Sequence, residues 1–137
     1  MADPAQWTIA ADLDVVRARQ GVRELAASAG FSAGDQTVIA AAISEIARNI
    51  LMYARTGTIS ARLERNGDRE GIVMVAEDHG PGIADIRRAS QDGVSTSGGL
   101  GLGLPGARRL MDDFEIASEY GRGTTITMKK WKRVHAG

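Results

Sequence analysis

The chain has 137 residues, of which 43% are apolar, so it can bury one hydrophobic core and we expect a single domain over residues 1–137. The 17 lysines and arginines balance the 17 aspartates and glutamates, which argues against nucleic acid or an anionic membrane as the partner. The lack of cysteine excludes disulfides, thiolate metal sites and cysteine nucleophiles, and the polar N-terminus has no apolar signal segment, so we expect a cytoplasmic protein.

Two amphipathic helices are predicted in the first half of the chain, after a short apolar stretch. Asp12 stands where an N-cap is expected, and apolar residues follow it at three- and four-residue spacing as far as Ala29, where Gly30 ends the pattern. A second helix is predicted from a cap at Ser32 to about Ala54, with isoleucines recurring on one face.

The second half of the chain alternates strands and short helices. An alternating strand at Gly57–Arg65 and a fully apolar strand at Ile72–Ala76 flank a turn and predict a hairpin. The other predicted elements are a short helix at Asp85–Gln91, a helix at Pro105–Met111, and strands at Phe114–Glu119 and Thr124–Trp131. This order predicts one layered α/β or α+β domain.

A glycine-rich stretch, TSGGLGLGLPGARR, runs from Thr96 to Arg109. Gly101 to Gly106 matches the dinucleotide-binding fingerprint, but the preceding residues are polar where that motif needs a buried strand. A P-loop is excluded because Ala107, rather than a lysine, follows the last glycine. The stretch by itself leaves two readings open: a surface loop, or a loop whose backbone N–H groups and following helix N-terminus bind phosphate.

Glu45 and Asn49 lie one turn apart on the second predicted helix, away from its isoleucine face. A carboxylate there can polarise a hydroxyl nucleophile, and an amide oxygen is a suitable ligand for Mg²⁺. The alternative is that both are solvated residues of an amphipathic helix.

Asp78 follows the apolar strand and is succeeded by His79, Gly80, Pro81 and Gly82. An acid at a strand end can accept a hydrogen bond from the exocyclic amine of a base, and glycines permit close approach. The alternative is an ordinary turn.

The three constellations, in this order, resemble the motifs of the GHKL superfamily of ATP-binding domains: E-x-x-x-N at Glu45–Asn49, D-x-G-x-G at Asp78–Gly82 and G-x-G-x-G at Gly99–Gly103. The segment Gly121–Thr124 is similar to the closing G-x-G-T of that superfamily. The resemblance implies the Bergerat fold, an α/β two-layer sandwich whose mixed, mostly antiparallel sheet carries its helices on one face.

The resemblance also implies roles for these residues. Asp78 would bind the adenine amine, with Thr124 nearby through water, Asn49 would hold Mg²⁺, and Gly80 and Gly82 would flank the base. A lid over the phosphates would consist of Gly98, Gly99, Leu100, Gly101, Leu102 and Gly103. We further expect Glu45 to orient and deprotonate the hydroxyl that receives the phosphoryl group.

Within the superfamily, we expect no second domain and no phosphoacceptor helical hairpin. The segments ISEIARNI at residues 43–50, EDHGPGI at residues 77–83 and STSGGLGLGLPGARRLMDDF at residues 95–114 resemble the small RsbT-type serine/threonine switch kinases of bacterial stressosomes. That resemblance implies STAS-domain proteins as phosphorylation substrates and a PP2C-type phosphatase as a second partner. Two alternatives stay open: an anti-sigma-factor kinase that binds a sigma factor directly, and a binding module whose ATP only gates partner affinity.

Overall fold

The computed structural model describes residues 4–79, 104–119 and 123–132. Its elements are β1 (Ala5–Ile9), α1 (Asp12–Ser28), α2 (Ala33–Tyr53), β2 (Gly57–Asn66), β3 (Arg69–Asp78), α3 (Leu104–Leu110), β4 (Asp113–Glu119) and β5 (Gly123–Trp131). The helix predicted at Asp85–Gln91 lies outside the described residues. The strand predicted at Ile72–Ala76 is longer in the structure, because its polar ends also pair: the first two residues pair with β2, and the last two pair with both β2 and β5.

The strands form one five-stranded sheet in the order β1-β2-β3-β5-β4, and each neighbouring pair is antiparallel. The helices pack against one face of this sheet, where apolar side chains from the strands join those of α1, α2 and α3 in a single core. This two-layer arrangement confirms the fold class predicted from the sequence. The end of β3, the end of β4 and the start of β5 lie together at one end of this sheet.

Helix α1 begins differently from the prediction. Ala11, with extended backbone, is its N-cap, and the predicted cap Asp12 is the first helical residue. The Asp14 carboxylate accepts hydrogen bonds from the backbone N–H groups of Ala10 and Ala11, both at 3.0 Å. Asp14 is the third residue of the helix, a position from which a carboxylate can reach back to the N–H groups before the first turn. The prediction of Asp12 as the cap was therefore wrong, because Asp14 is the aspartate that binds these groups.

Helix α2 follows the prediction closely. Its cap is Ser32, whose hydroxyl oxygen accepts a hydrogen bond from the backbone N–H of Asp35 at 3.1 Å. The isoleucine face packs on the sheet, and Ile39, Ile43 and Ile46 are fully buried. Each buried isoleucine contributes about 1.5–3 kcal/mol of hydrophobic stabilisation, so this face anchors α2 and thereby orients its polar face.

Helix α1 approaches the sheet closely at Gly21. A side chain at this position would collide with the indole of Trp7 on β1, so the missing Cβ lets the ring lie directly on the helix. In the described part of the chain, no helix combines the length and apolar character that a membrane span requires.

Candidate nucleotide-binding site

Polar side chains form one row across the end of the sheet. Asp78, the last residue of β3, is paired with Gly57 on β2 and with Thr124 on β5, and Thr124 is paired in turn with Ser118 on β4. Residues opposite each other on antiparallel strands point to the same face. Because Ile126, two residues after Thr124, belongs to the core, the row faces the helices. The register thus brings together Asp78 and Thr124, which are 46 positions apart in the chain.

Two glycines allow the backbone to pack tightly around Asp78. At Gly57 an added Cβ would lie 2.6 Å from the Glu77 carbonyl oxygen, and at Gly123 it would collide with the carbonyl of Asp78. Gly123 also has a φ of +120°, a conformation that residues with a side chain rarely adopt. Strand β5 therefore packs directly on the backbone of Asp78. This contact fixes the position of the Asp78 carboxylate at the end of the sheet.

Hydroxyl groups connect β4 to β5 beside the carboxylate. Ser118 Oγ lies 2.8 Å from Thr124 Oγ1 and 3.2 Å from the backbone carbonyl oxygen of Gly123. Thr124 is one of two buried polar residues among those described, with 8% of its surface exposed. Burial of a hydroxyl costs free energy unless it is hydrogen-bonded, so this pair keeps Thr124 in place.

A cavity of about 430 Å³ opens at these strand ends. The residues that line it include Asp78, Ser118, Gly123 and Thr124, and His79 is an exposed residue on it. Carboxylate and hydroxyl oxygens are hydrogen-bond acceptors, and the glycine lets a flat ligand approach the backbone. The chemistry of this donor and acceptor set fits the amine-bearing edge of an adenine base.

The helical part of the predicted site lies on α2. Glu45 and Asn49 are both half-buried, and Arg48 Nη1 donates a hydrogen bond to Glu45 Oε1 at 2.9 Å. Glu45 lines a groove of about 430 Å³ between α1 and α2 rather than the cavity at the strand ends. Ile50, the residue after Asn49, packs against Gly57, so this turn of α2 lies beside the strand that pairs with Asp78.

The magnesium prediction rests on Asn49. No group of three or more His, Cys, Asp or Glu side chains that could bind a metal occurs within the described ranges. Mg²⁺ normally keeps several waters and phosphate oxygens and takes only one or two ligands from the protein. A single amide oxygen on α2 therefore fits an ion that is bound mainly by a nucleotide.

Several predicted site residues lie outside the described residues: Gly80 and Gly82 beside the base, and Gly98, Gly99, Leu100, Gly101, Leu102 and Gly103 of the predicted lid. Helix α3, predicted at Pro105–Met111, is present at Leu104–Leu110. Its Ala107 and the following Met111 are buried in the core, so the end of the glycine-rich stretch is anchored against the body of the domain.

Three residues around the site were not singled out by the sequence analysis. Gly57 and Ser118 belong to no recognisable motif. Strand register places Gly57 beside Asp78 and Ser118 beside Thr124, and this register cannot be read from residue patterns alone. Gly123 did have a signal, since it immediately precedes Thr124 in the G-x-G-T segment, but its contact with Asp78 depends on the pairing of β3 with β5.

Comparison with known proteins identifies relatives over almost the whole chain. Residues 9–130 match the family described as histidine kinase-like ATPase domain. The chain is 48% identical over 133 residues to serine/threonine-protein kinase RsbT of Bacillus subtilis strain 168, covering 97% of this chain and 100% of RsbT. It is 32% identical over 106 residues to the anti-sigma F factor of Heyndrickxia coagulans, covering 71% of this chain and 67% of that protein.

These similarities confirm the family and the kinase class that were predicted from the motifs, and an ATPase domain implies ATP as the bound nucleotide. The chain belongs to the histidine kinase-like ATPase family, and within it to the RsbT-like serine/threonine-protein kinases.

Proposed function

We propose that this protein is a cytoplasmic switch kinase that transfers the γ-phosphate of ATP to a serine or threonine of STAS-domain partner proteins in a bacterial stress-response pathway. When released from those partners, it activates a PP2C-type phosphatase. The observation that carries the nucleotide part of the proposal is the placement of Asp78 opposite Thr124 at the end of β3, on the cavity described above. Similarity to RsbT over that protein's full length supports the kinase part.

Asp78 binds the base in this proposal. Its carboxylate is an acceptor-only group when ionised and accepts a hydrogen bond from the exocyclic amine of adenine, while Thr124 contacts the base through water. Gly80 and Gly82 flank the base, and the lid of residues 98–103 covers the phosphates with its backbone N–H groups. The close packing of Gly123 on the Asp78 carbonyl supports this role, because it holds the carboxylate before the nucleotide arrives.

Asn49 provides the protein ligand for Mg²⁺. When bound, the ion neutralises charge that develops on the β- and γ-phosphates during transfer. The amide side chain of Asn49 orients the ion relative to α2. The packing of Ile50 on Gly57 supports this assignment, since it fixes that turn of the helix next to the strand paired with Asp78.

Glu45 is the proposed catalytic residue. Its side chain is 43% exposed, so a hydroxyl presented by another protein can reach it. The carboxylate accepts a hydrogen bond from that hydroxyl and orients its oxygen for attack. It takes the proton as the bond from this oxygen to the γ-phosphorus forms and the bond between the γ-phosphorus and the oxygen of the leaving ADP breaks. Arg48 holds one carboxylate oxygen in the free protein, and a carboxylate can accept more than one hydrogen bond, so the ion pair does not prevent this contact.

The test is incubation of the purified chain with γ-labelled ATP, Mg²⁺ and STAS-domain proteins of the same bacterium. We expect label on a serine or threonine of one of them. Glu45→Ala is expected to abolish that label and leave ATP binding intact, whereas Glu24→Ala, a change at an exposed acid on α1, should leave both unchanged. Normal label transfer by Glu45→Ala would show that the base is wrongly assigned.

Experiments with the same purified chain also distinguish the proposed function from two alternatives. Similarity to an anti-sigma F factor favours a second candidate, a kinase that binds a sigma factor directly. Recovery of a sigma factor with the tagged chain, and of no STAS-domain protein, would establish that candidate instead. An ATP-gated binding module without chemistry would bind ATP and a partner but leave every partner unlabelled.

A further inference from the structure

The groove between α1 and α2 carries more positive than negative charge. Its volume is about 430 Å³, and the charged side chains that line it, among the described residues, are Arg19, Arg23 and Arg48 against the carboxylate of Glu45. The three positive charges exceed the one negative charge by two, although the whole chain is neutral. A local surplus of this kind attracts acidic groups to the groove.

Arg19 and Arg23 line this groove without a charged partner of their own. They are four residues apart on α1, so their side chains are neighbours on one face of the helix, where like charges repel. Within the part of the chain that the structure describes, neither guanidinium forms an ion pair, whereas Arg48 across the groove pairs with Glu45. A carboxylate from outside would relieve this repulsion, so the pair of arginines favours an acidic ligand.

Small residues form the floor of the groove. Ala40 and Ser44 on α2 are buried, and the Ser44 hydroxyl donates a hydrogen bond to the backbone carbonyl oxygen of Ala40 at 3.0 Å. Because this hydroxyl already has a partner, recognition falls to the side chains on the rim, where Gln20 and Thr37 add exposed neutral groups to the arginines. A groove of this volume holds a short segment of chain or a few side chains.

The groove leads to Glu45. Helices α1 and α2 are in contact and joined by a short connection, so they run antiparallel, with Arg23 nearer to Thr37 and Arg19 nearer to Glu45. Thr37 and Glu45 are eight residues apart on α2, which corresponds to about 12 Å along the helix. An acidic group bound by the arginines therefore lies within about that distance of a hydroxyl at Glu45.

We propose that the groove between α1 and α2 is the docking site for an acidic segment of the protein substrate, and that Arg19 and Arg23 bind its carboxylates. The arginines hold the segment while its neighbouring hydroxyl meets Glu45. This rests on the proposed function in taking Glu45 as the residue that receives the hydroxyl. It adds the chemistry of recognition, since a substrate with acidic groups beside the hydroxyl is attracted and one with basic groups there is repelled.

The experiment measures binding of the full chain to each purified STAS-domain protein of the same bacterium by surface plasmon resonance, and ATP affinity separately by calorimetry. We expect at least one of these proteins to bind. The double variant Arg19→Glu, Arg23→Glu should bind it at least about tenfold more weakly with unchanged ATP affinity, because two attractive contacts become repulsive. Added salt should weaken binding of the original chain but not of the double variant.

Arg65→Glu is the matched control. It makes the same change of charge at a side chain that is 72% exposed in the hairpin between β2 and β3, so partner binding should stay unchanged. The milder variants Arg19→Gln and Arg23→Gln cover the case in which the double reversal does not fold. Each removes one attractive contact without adding repulsion and should weaken partner binding by about threefold.

The proposal is overturned if no STAS-domain protein binds, if the changes at Arg19 and Arg23 leave binding as it was, or if Arg65→Glu weakens binding equally. Failure of the kinase proposal would look different. Binding that depends on the two arginines, without label on the partner, would retain the docking site and remove the transfer. Label transfer that is insensitive to both arginines would retain the kinase and remove the docking site.

Discussion

Asp78 and Thr124 lie opposite each other on β3 and β5, and a side chain at Gly123, the residue before Thr124, would collide with the carbonyl group of Asp78. One strand pairing therefore sets both the position of the carboxylate and its hydroxyl neighbour. The pairing also extends to β4, since Ser118 contacts Thr124 from the other side. The row is part of the paired sheet, and changes within it are expected to act on nucleotide binding.

Asp78→Asn tests the base contact. The substitution replaces one of the two acceptor oxygens by an NH₂ donor and removes the negative charge, so the hydrogen bond to the amine of adenine loses its charge assistance. We expect ATP affinity to fall by about tenfold or more, as measured by calorimetry. Asp68→Asn is the matched control, because Asp68 is exposed in the turn before β3 and lies at the other end of that strand from Asp78. Equal affinities for Asp78→Asn and the original chain would rule out this contact.

Gly123→Ala tests the support of the site by β5. The new methyl group would collide with the carbonyl of Asp78, and the φ of +120° is itself unfavourable for alanine. We expect a loss of more than about 2 kcal/mol in the free energy of unfolding in urea, together with weaker ATP binding.

Gly67→Ala is the control for that backbone effect. Gly67 also has a positive φ, of +64°, but an added Cβ would meet nothing within 4 Å. Its cost should be about 1 kcal/mol, from conformation alone, with unchanged ATP binding. If the two variants lose the same stability, the contact between Gly123 and Asp78 has no energetic importance.

Gly21→Ala tests the close packing of α1 on β1. The added methyl group would overlap the indole of Trp7, so we expect destabilisation by about 1–3 kcal/mol despite the higher helix propensity of alanine. The measurement is a double-mutant cycle by urea unfolding, with Trp7→Leu as the second change. Because the smaller side chain makes room, Gly21→Ala should cost less in that background, and an equal cost in both would contradict the packing explanation.

Arg48→Ala tests the ion pair with Glu45. Both side chains are substantially exposed, at 55% for Arg48 and 43% for Glu45, so solvent screens their attraction. We expect the free energy of unfolding to change by no more than about 0.5 kcal/mol, and the small effect to shrink further in high salt. A larger loss, insensitive to salt, would indicate that Arg48 stabilises the fold through other contacts.

The local elements were largely predictable from residue patterns. The isoleucine spacing of α2, the cap at Ser32 and the stop at Gly30 depend on neighbours within one helical turn, and all three were confirmed. The wrong cap at α1 has the same local origin, since Asp12 and Asp14 are both acids in its first turn. A local pattern does not state which of two nearby acids reaches back to the free N–H groups.

The site, too, was predictable from the sequence only in part. The residue types of Glu45, Asn49 and Asp78 and their order along the chain sufficed to indicate the family, because a motif is a local property of the sequence. The motifs did not predict how these residues are arranged in space. The structure places Glu45 on a groove between α1 and α2, held by Arg48, and Asp78 on a separate cavity at the strand ends.

The amino-acid sequence by itself predicted the three helices of the described residues and the strands β2 to β5, but not β1, and its motifs indicated the two-layer fold and the kinase family. Only the tertiary structure decided that Gly57, Asp78, Thr124 and Ser118 share one row, and that Gly123 supports Asp78 from the next strand. The physical reason is strand register. A shift of one residue would send these side chains to the opposite face, and that register is set by the burial of apolar residues across the whole sheet.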